Sequence, residues 1–224
     1  MPEFDTFAAD YQDLVSDSVR ITGESSDYFA AYKAEYIARR VAPRPGSRLL
    51  DYGCGVGLLS KHLRIRLPAI RVDGFDVSQN SIERVDESLR SQGTFTSNPH
   101  ALGQAYDVIV LANVLHHVPP ARRRDLIRET GSLLCNAGEF VIFEHNPINP
   151  LTQWAVSQCA FDEDAILLPV RETRGYFERS QFRRTVCDYI VFFPRFLQKL
   201  RPLEPSLRWC PLGAQYAVVA SRNP

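Results

Sequence analysis

No apolar run in this chain approaches the roughly 20 residues that a membrane-spanning helix needs. The amino terminus opens on Glu3 and Asp5 without an apolar core, so a secretory leader is not expected. Neither sign of charge dominates, since Lys+Arg and Asp+Glu each number 26. Nucleic-acid binders carry a clear basic excess, and that class of partner is not expected. The balance is uneven, however: eight acids against two bases lie in residues 1–35, which leaves the rest basic by six. Cysteine is sparse and scattered. Cys54, Cys135, Cys159, Cys187 and Cys210 form no Cys-x-x-Cys pair. An odd, dispersed set argues for reduced, buried thiols in the cytoplasm rather than a disulfide framework. Repeats and low-complexity tracts are missing as well. What remains is 224 residues at 45% hydrophobic content, enough for one α/β domain with a substantial core.

Against these absences stands one dense stretch, Leu49-Leu50-Asp51-Tyr52-Gly53-Cys54-Gly55-Val56-Gly57-Leu58-Leu59-Ser60. It reads as a buried strand end, a three-glycine turn and the first turn of a helix. Glycine at alternate positions clears side chains from a place where backbone must approach a ligand. The helix that follows aims its first N–H groups at that ligand. Glycines also serve plain structural turns, so the acid decides the reading. Asp51 would repel a pyrophosphate, and G-x-G-x-G is not the G-x-G-x-x-G of dinucleotide turns. A ligand with a cationic group fits better. S-adenosylmethionine carries a sulfonium and an ammonium, and no phosphate.

On these residues, Asp51 to Gly57 resembles motif I of the class I S-adenosylmethionine-dependent methyltransferases. Two further segments extend the resemblance. Arg71-Val72-Asp73-Gly74-Phe75-Asp76-Val77-Ser78 is a short strand ending in an acid 23 positions after Gly53. An acid so placed accepts hydrogen bonds from ribose hydroxyls. Asp76 also reads as a helix-start acid, because Ser78 and Asn80 follow. In Tyr106-Asp107-Val108-Ile109-Val110-Leu111 the apolar run Val108 to Leu111 is a fully buried parallel strand by composition and length. Its continuation Ala112-Asn113-Val114-Leu115-His116-His117-Val118-Pro119 resembles the family's fourth-strand motif.

The resemblance implies a doubly wound, mostly parallel seven-stranded sheet with an antiparallel last strand, a Rossmann-like methyltransferase fold. It implies S-adenosyl-L-methionine as cofactor, S-adenosyl-L-homocysteine as product, and a small-molecule acceptor. The implied cofactor residues are Asp51, Gly53, Cys54, Gly55, Gly57, Asp76, Val77, Ala112, Asn113 and His117. Members often carry an acid after strand three for the adenine amino group. Here that stretch is Thr94-Phe95-Thr96-Ser97-Asn98-Pro99, without a carboxylate, and Ser97 or Asn98 is the substitute.

Element by element, the alternation of strand and helix from Ser47 predicts parallel pairing with right-handed crossovers. Strands are expected near Arg48–Tyr52, Val72–Asp76, Thr94–Thr96, Asp107–Leu111, Glu139–Phe143, Arg184–Phe193 and Ala214–Ser221. Helices are expected from Leu58 to about Leu67, Gln79 to Ser91, Arg122 to Cys135, Leu151 to Cys159 and Arg174 to Arg184. Two aromatic-rich amphipathic helices precede them. One carries Phe4, Phe7, Tyr11, Leu14 and Val15, the other Tyr28, Phe29, Tyr32, Tyr36 and Ile37. The first resembles the N-terminal lid helix of many small-molecule methyltransferases. One domain is expected, with a lid over 1–43, a cofactor core over 44–145, a substrate-cap insertion and helix over 146–183, and a strand pair over 184–224.

Methyl transfer from a sulfonium is an in-line displacement that needs alignment and exclusion of water. A base is needed only for a protonated acceptor. His117, His116 and His145 are the candidates, with Glu144 beside them, and histidine titrates near neutrality. Their spacing with Glu144 matches no metal pattern, so no metal is expected. Phe192 to Pro202 mixes aromatics with bases and suits an amphipathic or lipid-linked acceptor as well as plain edge packing. Two other readings stay open: a dinucleotide-dependent oxidoreductase, and a non-catalytic binding module on the same fold. Acceptor, reacting atom and oligomeric state are not legible.

Overall fold

The computed structural model describes residues 23–159, 164–178 and 182–223. The expected helix over Phe4 to Val15 and the acids Asp162 and Glu163 lie outside them. Seven strands form one sheet: β1 (Arg48–Tyr52), β2 (Arg71–Phe75), β3 (Phe95–Thr96), β4 (Tyr106–Ala112), β5 (Leu134–His145), β6 (Phe182–Ile190) and β7 (Gln215–Arg222). Their order is β3-β2-β1-β4-β5-β7-β6. Strands β1 to β5 pair in parallel, while β7 runs antiparallel between β5 and β6. An antiparallel β7 in that place departs from the all-parallel 3-2-1-4-5-6 dinucleotide sheet.

Alternation along the central strands builds a core on each face. Leu49, Val108, Val110, Val141, Phe143 and Val219 pack on one side with Ile37 and Leu63. Leu50, Ile109, Leu111, Phe140, Ile142 and Val218 pack on the other with Ile127 and Phe177. The first side carries α1 (Ser26–Tyr36) and α2 (Leu58–Arg66), and α1 continues as a wider turn over Ile37–Val41. The second carries α5 (Pro120–Gly131).

Several boundaries differ from those expected, each for a local reason. The helix over Gln79 to Ser91 is two helices, α3 (Gln79–Glu83) and α4 (Glu87–Arg90). Asp86 interrupts it by capping the second, its Oδ1 accepting from Ser88 N at 2.8 Å. The helix ending at Cys135 stops at Gly131, and β5 starts at Leu134 rather than Glu139. Asn136-Ala137-Gly138 is an irregular step inside that strand. The register shifts between Tyr106 and Val108 opposite it, and Ala137 takes φ 61°. The helix over Arg174 to Arg184 is instead α7 (Val170–Gly175), with β6 already begun at Phe182. Thr173 is drawn onto the sheet by a 2.7 Å hydroxyl contact with Tyr216. Between them lies α6 (Pro150–Ser157), started by Asn149, whose Oδ1 accepts from Leu151 N and Thr152 N. All five cysteines are free; Cys54 and Cys159 are buried, while Cys135, Cys187 and Cys210 are only half-buried.

Candidate functional site

The carboxyl ends of β1, β2 and β4 open on a cavity of about 1240 Å³, solvent at its mouth included. Such strand ends are where open α/β sheets hold ligands. The glycine turn forms its floor. Gly53 N and Cys54 N both donate to Phe75 O, at 2.7 and 2.9 Å, which ties the turn to β2. Gly53 has φ +83°, and a Cβ there would meet Val114 Cγ2 at 2.4 Å. Only glycine fits both the backbone and the approach of the chain after β4. Asp76, just past β2, accepts from Gly55 N at 2.7 Å and Ser78 N at 2.9 Å.

Gly53, Gly55, Asp76, Val77, Ala112, Asn113 and His117 line this cavity. The remaining expected contacts do not, and each has another task. Gly57 starts α2 at φ +83° and lies against Val85 and Leu89. Cys54 is packed beneath the turn against Gly74. Ser97 pairs with Gln79 Oε1 at 2.5 Å, and Asn98 caps the turn at Pro99–Ala101. Asp51 is 1% exposed and takes a 2.7 Å hydrogen bond from Ser60 Oγ. Burial pushes its carboxyl up to about 6, against the Ser60 hydrogen bond; Asp76 adds to the rise and Lys33 opposes it.

Lys33 is the residue sequence reasoning missed. It is buried on α1, with Nζ 3.2 Å from Asn113 Oδ1. Burial brings its ammonium down to about 8, while Glu144 and Asp51 pull it back up. A signal was present: Lys33 sits four positions from Phe29 and from Ile37, on the apolar stripe itself.

The two adjacent histidines part company. His116 is buried and lines neither this cavity nor the second one described below. Its Nδ1 lies 2.6 Å from Glu144 Oε2, while Glu144 Oε1 accepts from Leu115 N at 2.7 Å. Burial pushes the Glu144 carboxyl up, but His116, His145 and the Leu115 N–H together hold it below its ordinary value. The pair therefore anchors the chain after β4, with His116 held off both cavity linings. His117 faces the cavity.

His145, at the end of β5, has Nε2 3.3 Å from Asn113 Nδ2. Lys33 can only donate while charged, so Asn113 turns Oδ1 to Lys33 and Nδ2 to His145. His145 Nε2 is then the acceptor. Beyond His145 lies a second cavity of about 750 Å³, solvent at its mouth included. Phe29 of α1, Val156 of α6, and Val191 and Phe193 after β6 give it an apolar wall. Among the described residues, no group of three His, Cys, Asp or Glu is arranged to hold a metal ion.

Sheet order, glycine turn and the acid closing β2 together define the class I methyltransferase fold. The chain belongs to the methyltransferase-domain family, whose model, "Methyltransferase domain", matches residues 26–191. A ubiquinone biosynthesis O-methyltransferase of Marinobacter nauticus is 31% identical over 122 residues, 49% of this chain and 48% of that protein. The chain spans about half the length of the curated relatives it matches. Among solved structures, an S-adenosylmethionine-dependent methyltransferase from Archaeoglobus fulgidus superposes with TM-score 0.66 at 16% identity, covering 88% of this chain and 95% of that one. Magnesium protoporphyrin IX methyltransferase from Synechocystis PCC 6803, with bound S-adenosylmethionine, gives 0.60 at 18% identity, covering 93% and 84%. At these identities the structural likeness speaks for the fold.

Proposed function

We propose that this protein holds S-adenosylmethionine in the glycine-turn cavity and methylates a small amphipathic or lipid-linked molecule held in the second cavity, releasing S-adenosylhomocysteine. The observation that carries the reading is that the two cavities lie on either side of the Asn113–His145 contact. One side offers a glycine cradle and a carboxylate, the other an apolar recess.

The residues present suit the cofactor. Each Asp76 oxygen holds one backbone N–H and keeps a lone pair for a ribose hydroxyl. Val77 offers an apolar face to the adenine, and Ala112 and Asn113 flank the methionine part. Asp51 and Lys33 act from behind the lining, setting the charge around Asn113. When bound, the cofactor supplies a methyl group activated by a cationic sulfur. The chain aligns the acceptor with it and keeps water out through the apolar walls. His145, which lines the second cavity, takes the proton of a protonated acceptor, with His117 on the cofactor side as the other candidate base.

Of the lid proposed over 1–43, the described part is α1, which supplies Tyr28 and Phe29 to the wall of the second cavity and Lys33 to Asn113. Within 146–183, α6 supplies the cap over the acceptor. The amphipathic character of the acceptor is supported by the chain beyond Phe193. There Phe196 and Leu203 are exposed on the turn-rich helix Arg195–Ser206, beside Lys199. No helix among the described residues is long and apolar enough to cross a membrane. The free cysteines fit a reaction in the cytoplasm.

Calorimetric titration with S-adenosylhomocysteine tests the reading, with binding of one molecule per chain expected. His145→Asn should then lower kcat by more than it weakens that binding. Absence of binding to well-folded protein sinks the proposal.

A further inference from the structure

Two buried polar atoms in the second cavity are left without partners. Among the described residues, Gln215 is 5% exposed and its Oε1 has no hydrogen bond, and the Tyr28 hydroxyl is buried and likewise unpaired. Both residues line the cavity. Gln215 opens β7 and is the register partner of His145, so it sits one strand over from the Asn113–His145 contact. Tyr28 enters from α1, its ring covered by the Arg201 guanidinium at 4.3 Å. Burying a polar group without a partner is costly, so two in one largely apolar recess call for a ligand that pairs them.

The ligand's chemistry follows from the atoms. Gln215 Oε1 only accepts, and Tyr28 either donates or accepts. A carboxylate or phosphate has no proton for Gln215. A cation would meet Gln215, but the one carboxylate in the described lining, Glu24, is already paired with Arg201, and the cation would lose its hydration among Phe29, Val156, Val191 and Phe193. A neutral hydroxyl both donates and accepts, and its carbon frame suits the apolar wall.

We propose that Gln215 and Tyr28 are the specificity-determining residues of the acceptor site, and that they select an uncharged, ring-sized apolar molecule carrying a hydroxyl group. This rests on the methyltransferase reading, because it makes the second cavity the acceptor side of that site. Sites built to pair a substrate hydroxyl discriminate strongly against analogues that lack it.

The test is a calorimetric series on protein first saturated with S-adenosylhomocysteine. The probes are 2-naphthol, 2-methoxynaphthalene and 2-naphthoate. The expected result is that 2-naphthol binds about tenfold tighter than either of the others. Gln215→Met should bring 2-naphthol to the level of 2-methoxynaphthalene while leaving S-adenosylhomocysteine affinity unchanged. Tyr28→Phe should reduce the preference in part, and it decides the matter if Gln215→Met does not fold. Equal affinities, a preference for the anion, no binding of any probe, or a preference that survives the substitutions would overturn the proposal. Failure of S-adenosylhomocysteine itself to bind is a different result, and strikes the methyltransferase reading instead.

Discussion

Asp76 fastens the glycine turn to the end of β2: its Oδ2 accepts from Gly55 N at 2.7 Å, while Oδ1 holds Ser78 N at 2.9 Å. The residue assigned to the ribose is thus also the brace of the cradle. Asp76→Ala should remove both, and weaken S-adenosylhomocysteine binding by well over about tenfold, as loss of charge-assisted hydrogen bonds does. Asp76→Asn keeps the shape but turns one acceptor into a donor, so a smaller loss is expected. Calorimetry on the two variants checks the order, and equal, unimpaired affinities would remove Asp76 from the site.

Lys33 gives a pH signature whose sign is fixed by its burial. Its folded value near 8 lies below the ordinary 10.5. Above about pH 8 the folded chain sheds this proton while the unfolded chain keeps it. Stability contributed by Lys33 therefore rises as pH increases from about 8 toward 10.5, by at most about 1.4 kcal/mol per pH unit. The cysteine thiols work in the opposite direction over part of that range, Cys54 being pushed well up by burial. The difference between wild type and Lys33→Met isolates the lysine. Urea denaturation at pH 7.5 and 9.5 should show wild type gaining on the variant; parallel curves would refute it.

The Glu144–His116 pair predicts a loss of stability rather than of chemistry. Glu144 is buried and holds both His116 Nδ1 and Leu115 N. Glu144→Ala removes the buried carboxylate that both groups bond, and should cost about 3–5 kcal/mol in denaturant unfolding. Because the Glu144 carboxyl lies below its ordinary 4.5, its contribution is present above that pH and is lost as pH falls through the folded value. Glu144→Gln should accordingly flatten the acid limb of the stability profile.

Much of the fold and part of the site were legible because they rest on local signals. Glycine at Gly53, apolar runs such as Val108 to Leu111, and the acid after β2 announce themselves over a few residues. The antiparallel β7 came from the family resemblance, since alternation alone cannot orient a last strand. What was not legible depends on contacts between distant segments. Gln215 matters because it is opposite His145, and Tyr28 because α1 folds across the strand ends. His116 and His117 are neighbours in sequence, yet one is committed to Glu144 and the other to the cavity. Ser97 and Asn98, the substitutes for a missing carboxylate, each make a hydrogen bond within the protein, Ser97 to Gln79 and Asn98 to His100 N.

The contact between Gly53 and Val114 yields a prediction that separates crowding from backbone strain. Gly53→Ala introduces two costs: a methyl 2.4 Å from Val114 Cγ2, and an L-residue held at φ +83°. The first is relieved by shortening Val114; the second is not. The strain at such a φ is about 1–2 kcal/mol for a non-glycine residue. Gly53→Ala alone should therefore lower both the unfolding midpoint and S-adenosylhomocysteine affinity. Adding Val114→Ala should recover the part due to crowding and leave the strain. Val114→Ala in the wild-type background should cost stability of its own by opening space beside the turn. A double-mutant cycle in denaturant measures the coupling directly, and it should be favourable in sign. Additive effects would mean that the chain after β4 does not press on the turn, and the cradle would then owe its shape to Phe75 and Asp76 alone.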